Sequence, residues 1–175
     1  FVKSGEVEPG VGLLDEAMVA VEADQLSPIV TGIIYCSVIE GCKDAYIVRR
    51  ATEWTRALSD WCEDQPDLIA FGGECLMYRA DIRRMGGAWS EALAEAERAR
   101  ERFEQTDRPA LAARARYQQA EVQRLRGEFE SAHALFSLAS RDGYEPQPGL
   151  ALLHLAKGDV ETATATIRRA TGETS

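Results

Sequence analysis

The sequence predicts an all-α fold, a solenoid of antiparallel helix pairs with about eight or nine helices. Three observations predict it. Alanine, leucine, glutamate and arginine, all good helix formers, dominate the 175 residues. Apolar residues recur at three-and-four spacing along most of the chain, the period of an amphipathic helix. Four glycines, Gly5, Gly87, Gly127 and Gly158, head a pattern that repeats.

In chain order, Gly5–Asp24 has a turn followed by Leu14, Ala17, Met18 and Val21 on one face. It reads as half of a hairpin whose partner would lie upstream of residue 1. Ser27 is an N-cap candidate, with Pro28 at the first helical position. Pro28–Glu40 is apolar nearly all round and rich in Ile and Val, so it reads as a two-sided buried helix or a strand. Helix is the better reading, because a lone strand has nothing to pair with. Gly41-Cys42-Lys43-Asp44 reads as a break, and Ala45–Cys62 as the return helix, with Ile47, Ala51, Trp54, Leu58 and Trp61 inward.

Glu63–Asp67 is a turn. Leu68–Met85 follows as a helix, with Gly72-Gly73 weakening its first turns and Gly86-Gly87 ending it. Ser90–Phe103 places Leu93, Ala96, Ala99 and Phe103 inward and Glu91, Glu95, Arg98 and Arg102 outward. After a connection at 105–109, Pro109–Arg141 holds two helices around Gly127-Glu128. Asp142–Pro148 is the most turn-rich stretch. Gly149–Ala156 and Val160–Ala170 form a shorter final pair, and Gly172 starts a fraying end. This organisation is one helical-repeat domain over 1–175, with a half-repeat at 1–25 and pairs at 27–64, 66–105, 109–142 and 147–172.

The repeat is read from the four glycines. Two positions after each stands an apolar residue (Val7, Trp89, Phe129, Val160), expected as a core wedge. Five after stands a small one (Gly10, Ala92, Ala132, Ala163). Nine after come Leu14, Ala96, Phe136 and Ile167, and twelve after come Ala17, Ala99, Ala139 and Ala170. Ala80, Ala120 and Ala151 lie seven before the last three glycines. Small residues let helices cross closely, bulky ones fill the space beside them, and glycine permits the tight turn.

This pattern resembles the tetratricopeptide repeat, a helix–turn–helix unit of about 34 residues. The spacings depart from it: 40 residues from Gly87 to Gly127 and 31 from Gly127 to Gly158, with no glycine turn before Ala45–Cys62. An irregular superhelix is therefore expected. Three stretches narrow the resemblance: GLLDEAMVAVEADQLSPIVTGIIYCSVIEGC, DAYIVRRATEWTRALSDWCEDQPDL and RGEFESAHALFSLASRDGYEPQPGLALLHLAKGD. They look like the helical-repeat arm of large LuxR-type bacterial transcriptional regulators of the maltose-activator kind. In that family an ATPase module precedes the arm and a helix-turn-helix follows it. This sequence holds no GxxxxGK[ST] loop and no basic recognition helix. The resemblance thus implies only the arm's work, effector sensing or self-assembly in a bacterial cytoplasm. The lack of an initiator Met suggests a piece of something longer.

Composition narrows the partners. The chain is 45% hydrophobic and 28% charged. Residues 1–75 hold 14 Asp+Glu against 5 Lys+Arg, whereas residues 76–175 hold 15 of each. Phosphate backbones are bound mainly by Lys and Arg, so this acidic-to-neutral chain is not expected to contact nucleic acid directly. A basic partner or a cationic ligand is easier to accommodate. No apolar run is long enough to span a membrane, and the N-terminus lacks the plan of a signal peptide. Cys36, Cys42, Cys62 and Cys75 lack zinc-knuckle spacing and read as small core residues in a reducing cytosol. No metal or cofactor is expected. Neither His133 nor His154 has a nucleophile or acid at motif spacing, so no catalytic residue is assigned.

In a tetratricopeptide array the first helix of each pair lines the concave surface. The resemblance points there to Tyr78, Asp81 and Arg84 in one unit and to Tyr117, Gln118, Glu121 and Arg124 in the next, with Tyr35 extending the wall. Ser37, two residues from Tyr35, faces elsewhere. Aromatic and charged groups on one wall suit a peptide or a small effector with polar ends. The competing reading is that Asp81, Arg84, Glu121 and Arg124 satisfy one another across adjacent helices. Trp54, Trp61 and Trp89 read as core rather than as a ligand cage. The expected function is a non-catalytic binding or assembly module. The alternatives are a stand-alone protein–protein adaptor, a dimerising spacer, or an enzyme with a dispersed pocket.

Overall fold

The computed structural model describes residues 4–23, 26–64 and 69–172, without the side chains of 69–71. Among them are nine α-helices and no strand: α1 (Val7–Glu22), α2 (Pro28–Asp44), α3 (Val48–Glu63), α4 (Ile69–Met85), α5 (Trp89–Gln105), α6 (Pro109–Leu125), α7 (Phe129–Arg141), α8 (Gly149–Ala156) and α9 (Val160–Thr171). The fold is all-α, and helices pack on their chain neighbours. The apolar segment Pro28–Glu40 is helical throughout, as expected. Asp24, the turn residues 65–67 and Leu68 lie outside the described residues.

The chain divides into two compact units, Phe1–Ile82 and Arg83–Ser175, with the boundary inside α4. In the first unit α2 packs against α1 and α3. Its core gathers Met18, Val21, Tyr35, Val38, Ile39, Cys42, Leu58, Cys75 and Tyr78. In the second unit α6 packs against α5, α7 and α8, and α8 against α7 and α9. Buried alanines dominate here: Ala92, Ala96 and Ala99 on α5, Ala112, Ala113, Ala115 and Ala120 on α6, and Ala132 and Ala139 on α7. Phe103, Phe136, Leu153 and Val122 are larger side chains fully enclosed among them.

The turns follow one geometry. Gly5, Gly87, Gly127 and Gly158 all have left-handed φ, from 78° to 89°. At Gly87, Gly127 and Gly158 the hydrogen bonds form a Schellman cap. Gly127 N–H donates to Arg124 O, and Glu128 N–H reaches back to Gln123 O. The same cap forms at Tyr46, whose N–H donates to Lys43 O while Ile47 N–H donates to Cys42 O. Tyr46 has φ 57° and is 84% exposed. The return helix therefore does have its left-handed turn, built on tyrosine instead of glycine. The break expected at Gly41–Asp44 is instead the last turn of α2, which runs on to Asp44.

With Tyr46 added, turn residues stand at 5, 46, 87, 127 and 158, with spacings of 41, 41, 40 and 31. The residue five after each, Gly10, Ala51, Ala92, Ala132 or Ala163, is buried in every case. Two parts of the repeat reading are corrected. The residue two after each turn is a core wedge only at Phe129, which is half-buried against Ala120, Ala132 and Phe136; Val7 and Trp89 are each 38% exposed and Val160 is 59% exposed. These three residues open their helices, and helical side chains lean toward the N-terminus. They therefore lie over the preceding turn, outside the helix crossing. Ala170, twelve after Gly158, is also exposed, at the end of α9.

Glu95, expected on the outer face of α5, is buried. Its carboxylate lies 3.4 Å from Arg98 Nη1 and 3.8 Å from Arg83 Nε, so charge partners make its burial tolerable. Ser27 caps α2 by backbone position only, with no side-chain hydrogen bond. A polar lattice runs along α5 and α6: Arg100 bonds Glu97 and Glu104, Gln119 bonds Glu97, and Arg116 reaches both Glu104 and Asp142, each at 2.6 Å. Arg100 holds the Glu97 carboxyl below its ordinary value, with Gln119 and Arg116 adding to it.

Candidate functional site

The eight residues singled out from sequence fall in both units. In the first, Tyr35 is buried on α2 with its ring 6.5 Å from Trp54 and 6.1 Å from Trp61. Burial, and then the charges of Glu22 and Asp60, push its phenol above the ordinary value. Ser37 is exposed, and its hydroxyl donates to Ile33 O at 2.9 Å. Tyr78 and Asp81 are buried on α4. Lys43 serves both, pairing with the Asp81 carboxylate and standing 5.6 Å from the centre of the Tyr78 ring. Sequence reasoning had left Lys43 in a break. Its role follows from its place on the last turn of α2.

In the second unit, α6 carries Tyr117, Gln118, Glu121 and Arg124 within two turns. The helix, PALAARARYQQAEVQRL, is rich in alanine, and these four residues share its polar character with Arg114, Arg116, Gln119 and Gln123. Glu121 is buried and Arg124 half-buried. They form a two-pronged ion pair on one helix, Nε to Oε1 and Nη2 to Oε2, both at 2.9 Å. That bond, ahead of the cost of burial, holds the guanidinium more firmly protonated than usual. The Tyr117 ring stacks 5.6 Å from Phe136 and 5.2 Å from Tyr144. Its phenol is pushed up to about 12, first by burial and then by the Glu121 charge, against a backbone hydrogen bond from Gly149 and the Arg84 charge. Arg84, half-buried at the end of α4, is thus part of this electrostatic neighbourhood. Gln118 is buried, and its Oε1 has no hydrogen-bond partner among the described residues.

Sequence reasoning missed Gly149 and Tyr144, because the segment around them announces only turns. Gly149 is buried against this cluster: a Cβ added there would lie 2.4 Å from Glu121 Oε1 and 2.7 Å from the Phe136 ring. Glycine at 149 lets the start of α8 approach α6 at a distance where any side chain would force Glu121 or the Phe136 ring to move.

Elsewhere in this unit an open apolar hollow of about 270 Å³ lies between α8 and α9. Leu152, Leu155, Val160 and Ile167 line it. It shares no lining residue with the α6 cluster. His133 and His154 meet edge-to-face with ring centres 6.3 Å apart. Among the described residues no group of three or more His, Cys, Asp or Glu is placed to hold a metal ion, and no helix is long and apolar enough to cross a membrane.

Comparison with protein-family models, curated proteins and solved structures produced no match. The site's chemistry therefore stands on its own geometry.

Proposed function

We propose that the chain is a non-catalytic helical-repeat module that binds a small effector or peptide along α6, and that it serves as the sensor or oligomerisation arm of a LuxR-type regulator. One observation carries the binding reading. An ion pair, a tyrosine and an amide with an unused acceptor oxygen gather within two turns of α6, a helix whose Arg116 and Gln119 already serve the lattice with α5. Buried ion pairs contribute little to stability compared with apolar residues of the same size. A cluster of this kind is easier to account for by recognition than by folding. Arg124 and Arg84 suit an anionic group, the Gln118 oxygen suits an amide or ammonium donor, and Tyr117 suits an apolar body between them. The regulator assignment rests on the sequence resemblance alone.

The test is a melting screen of the purified chain against amino acids, sugars, sugar phosphates and short peptides. A ligand at 100 times its Kd adds about 2.7 kcal/mol of stability. Arg124→Gln should abolish the rise in Tm for the compound that produces it. A panel that leaves Tm unmoved sinks the effector reading. The adaptor reading is favoured by the hollow between α8 and α9, where Leu155 is 51% exposed. Sedimentation of the wild type and Leu155→Asp separates the two. Self-association lost in the variant, with no ligand response, selects the adaptor.

A further inference from the structure

Two cysteines left out of the binding reading meet in the first unit. Cys62 lies one residue from the end of α3, and Cys75 lies in the first half of α4. Their sulfurs are 3.0 Å apart, while all four cysteines are free thiols. Ordinary non-bonded contact between carbon atoms is about 3.5–4.0 Å, and a disulfide bond is about 2.05 Å. The pair is thus already inside normal contact, and joining the sulfurs needs a shift of about 1 Å. The two side chains differ in access. Cys62 is half-buried, whereas Cys75 is 5% exposed and also faces the Leu58 carbonyl at 3.7 Å.

We propose that Cys62 and Cys75 form a reversible disulfide tying the end of α3 to α4, with a peroxide as the oxidant. Cys62 is the thiol that peroxide reaches. Its sulfur attacks one peroxide oxygen, the O–O bond breaks, an S–O bond forms, and the departing hydroxide takes up a proton as water. The Cys75 sulfur then displaces the oxygen from the Cys62 sulfenic acid. The S–S bond forms, the S–O bond breaks, and the Cys75 proton leaves with hydroxide as a second water. Two thiols lose two hydrogens and two electrons, and one peroxide becomes two waters. The hydrogen bond between the thiols favours this division of labour. It holds Cys62 below the ordinary thiol value and, with burial, holds Cys75 above it. Cys36 nearby is itself pushed up to about 11, by burial first, which disfavours it as the attacking group.

The sequence provides a clean readout. No Lys or Arg lies between Arg56 and Arg79, so one tryptic peptide, 57–79, carries both cysteines. Reduced protein is treated with one equivalent of hydrogen peroxide, alkylated, digested without reductant and weighed. Peptide 57–79 should be two hydrogens lighter, unalkylated, and restored by dithiothreitol, and the intact oxidised protein should melt several degrees higher. Cys36→Ala should leave this unchanged. Cys75→Ala, checked for folding by circular dichroism, should accumulate sulfenic and then sulfinic acid on Cys62. Alkylation of both thiols after peroxide, a link from 57–79 to the peptide holding Cys36 and Cys42, or the same Cys62 product in wild type and Cys75→Ala overturns the proposal.

Discussion

The two units use one turn geometry and two kinds of filling. In the first, the buried positions hold Met18, Val38, Ile39, Leu58 and Tyr35, large side chains of varied shape. In the second, they hold mostly alanines on three successive helices, punctuated by Phe103, Val122, Phe136 and Leu153. Large, flexible side chains can shift to fill a neighbour's loss. Alanines cannot, because they have no rotamers to change. The contrast teaches that a shared backbone frame does not fix how a core responds to change.

The largest test is a matched pair of truncations. Phe136→Ala should cost about 3–5 kcal/mol, with Ala120 and Ala132 beside it unable to move and only Leu153 and the rim side chains Tyr117 and Phe129 able to relax into the hole. Leu58→Ala should fall low in the range of about 2–5 kcal/mol, because Met18 belongs to the same cluster and can move. Urea denaturation of both measures the difference, and equal losses would end the contrast. Overpacking is next. Gly149→Ala forces a methyl onto Glu121 and the Phe136 ring and should cost about 1–3 kcal/mol. A neutral result by the same denaturation would mean that α8 stands off from α6. The smallest effect has the opposite sign. Tyr46→Gly relieves a left-handed tyrosine and should stabilise the first unit by about 1 kcal/mol, after the entropy that glycine adds to the unfolded chain. A drop in Tm would show that the Tyr46 side chain has a role its 84% exposure hides.

Much of the frame was legible in sequence, because glycine marks a left-handed cap and a small residue five positions later marks the crossing. Tyr46 was not, since only a few per cent of non-glycine residues adopt positive φ and tyrosine carries no sign of it. Trp89 misled for a different reason. Its size suggested core, but its place at the first position of α5 turns it over the loop. On α6, helical spacing alone brings Tyr117, Gln118, Glu121 and Arg124 together. The groups packed around them come from elsewhere: Gly149 from α8, Tyr144 from the loop before it, and Arg84 from the end of α4. Such long-range neighbours leave no local pattern. The contact of Cys62 with Cys75 is of the same kind, since they stand thirteen positions apart on different helices.

The turn residues at 5, 46, 87 and 127 set a nearly constant frame of 40 or 41 residues, each opening with a left-handed cap and a buried small residue five positions on. Such a frame has a consequence for how the chain can change over evolutionary time. A duplication or deletion of one whole frame, cut at these caps, keeps every crossing residue in phase with its helix. A cut inside a helix, away from the caps, shifts the small residues off the crossing by a fraction of a turn for each residue gained or lost. The 31-residue step to Gly158 departs from that frame, with α7, α8 and α9 shorter than the helices before them, yet Ala163 is again buried five positions on.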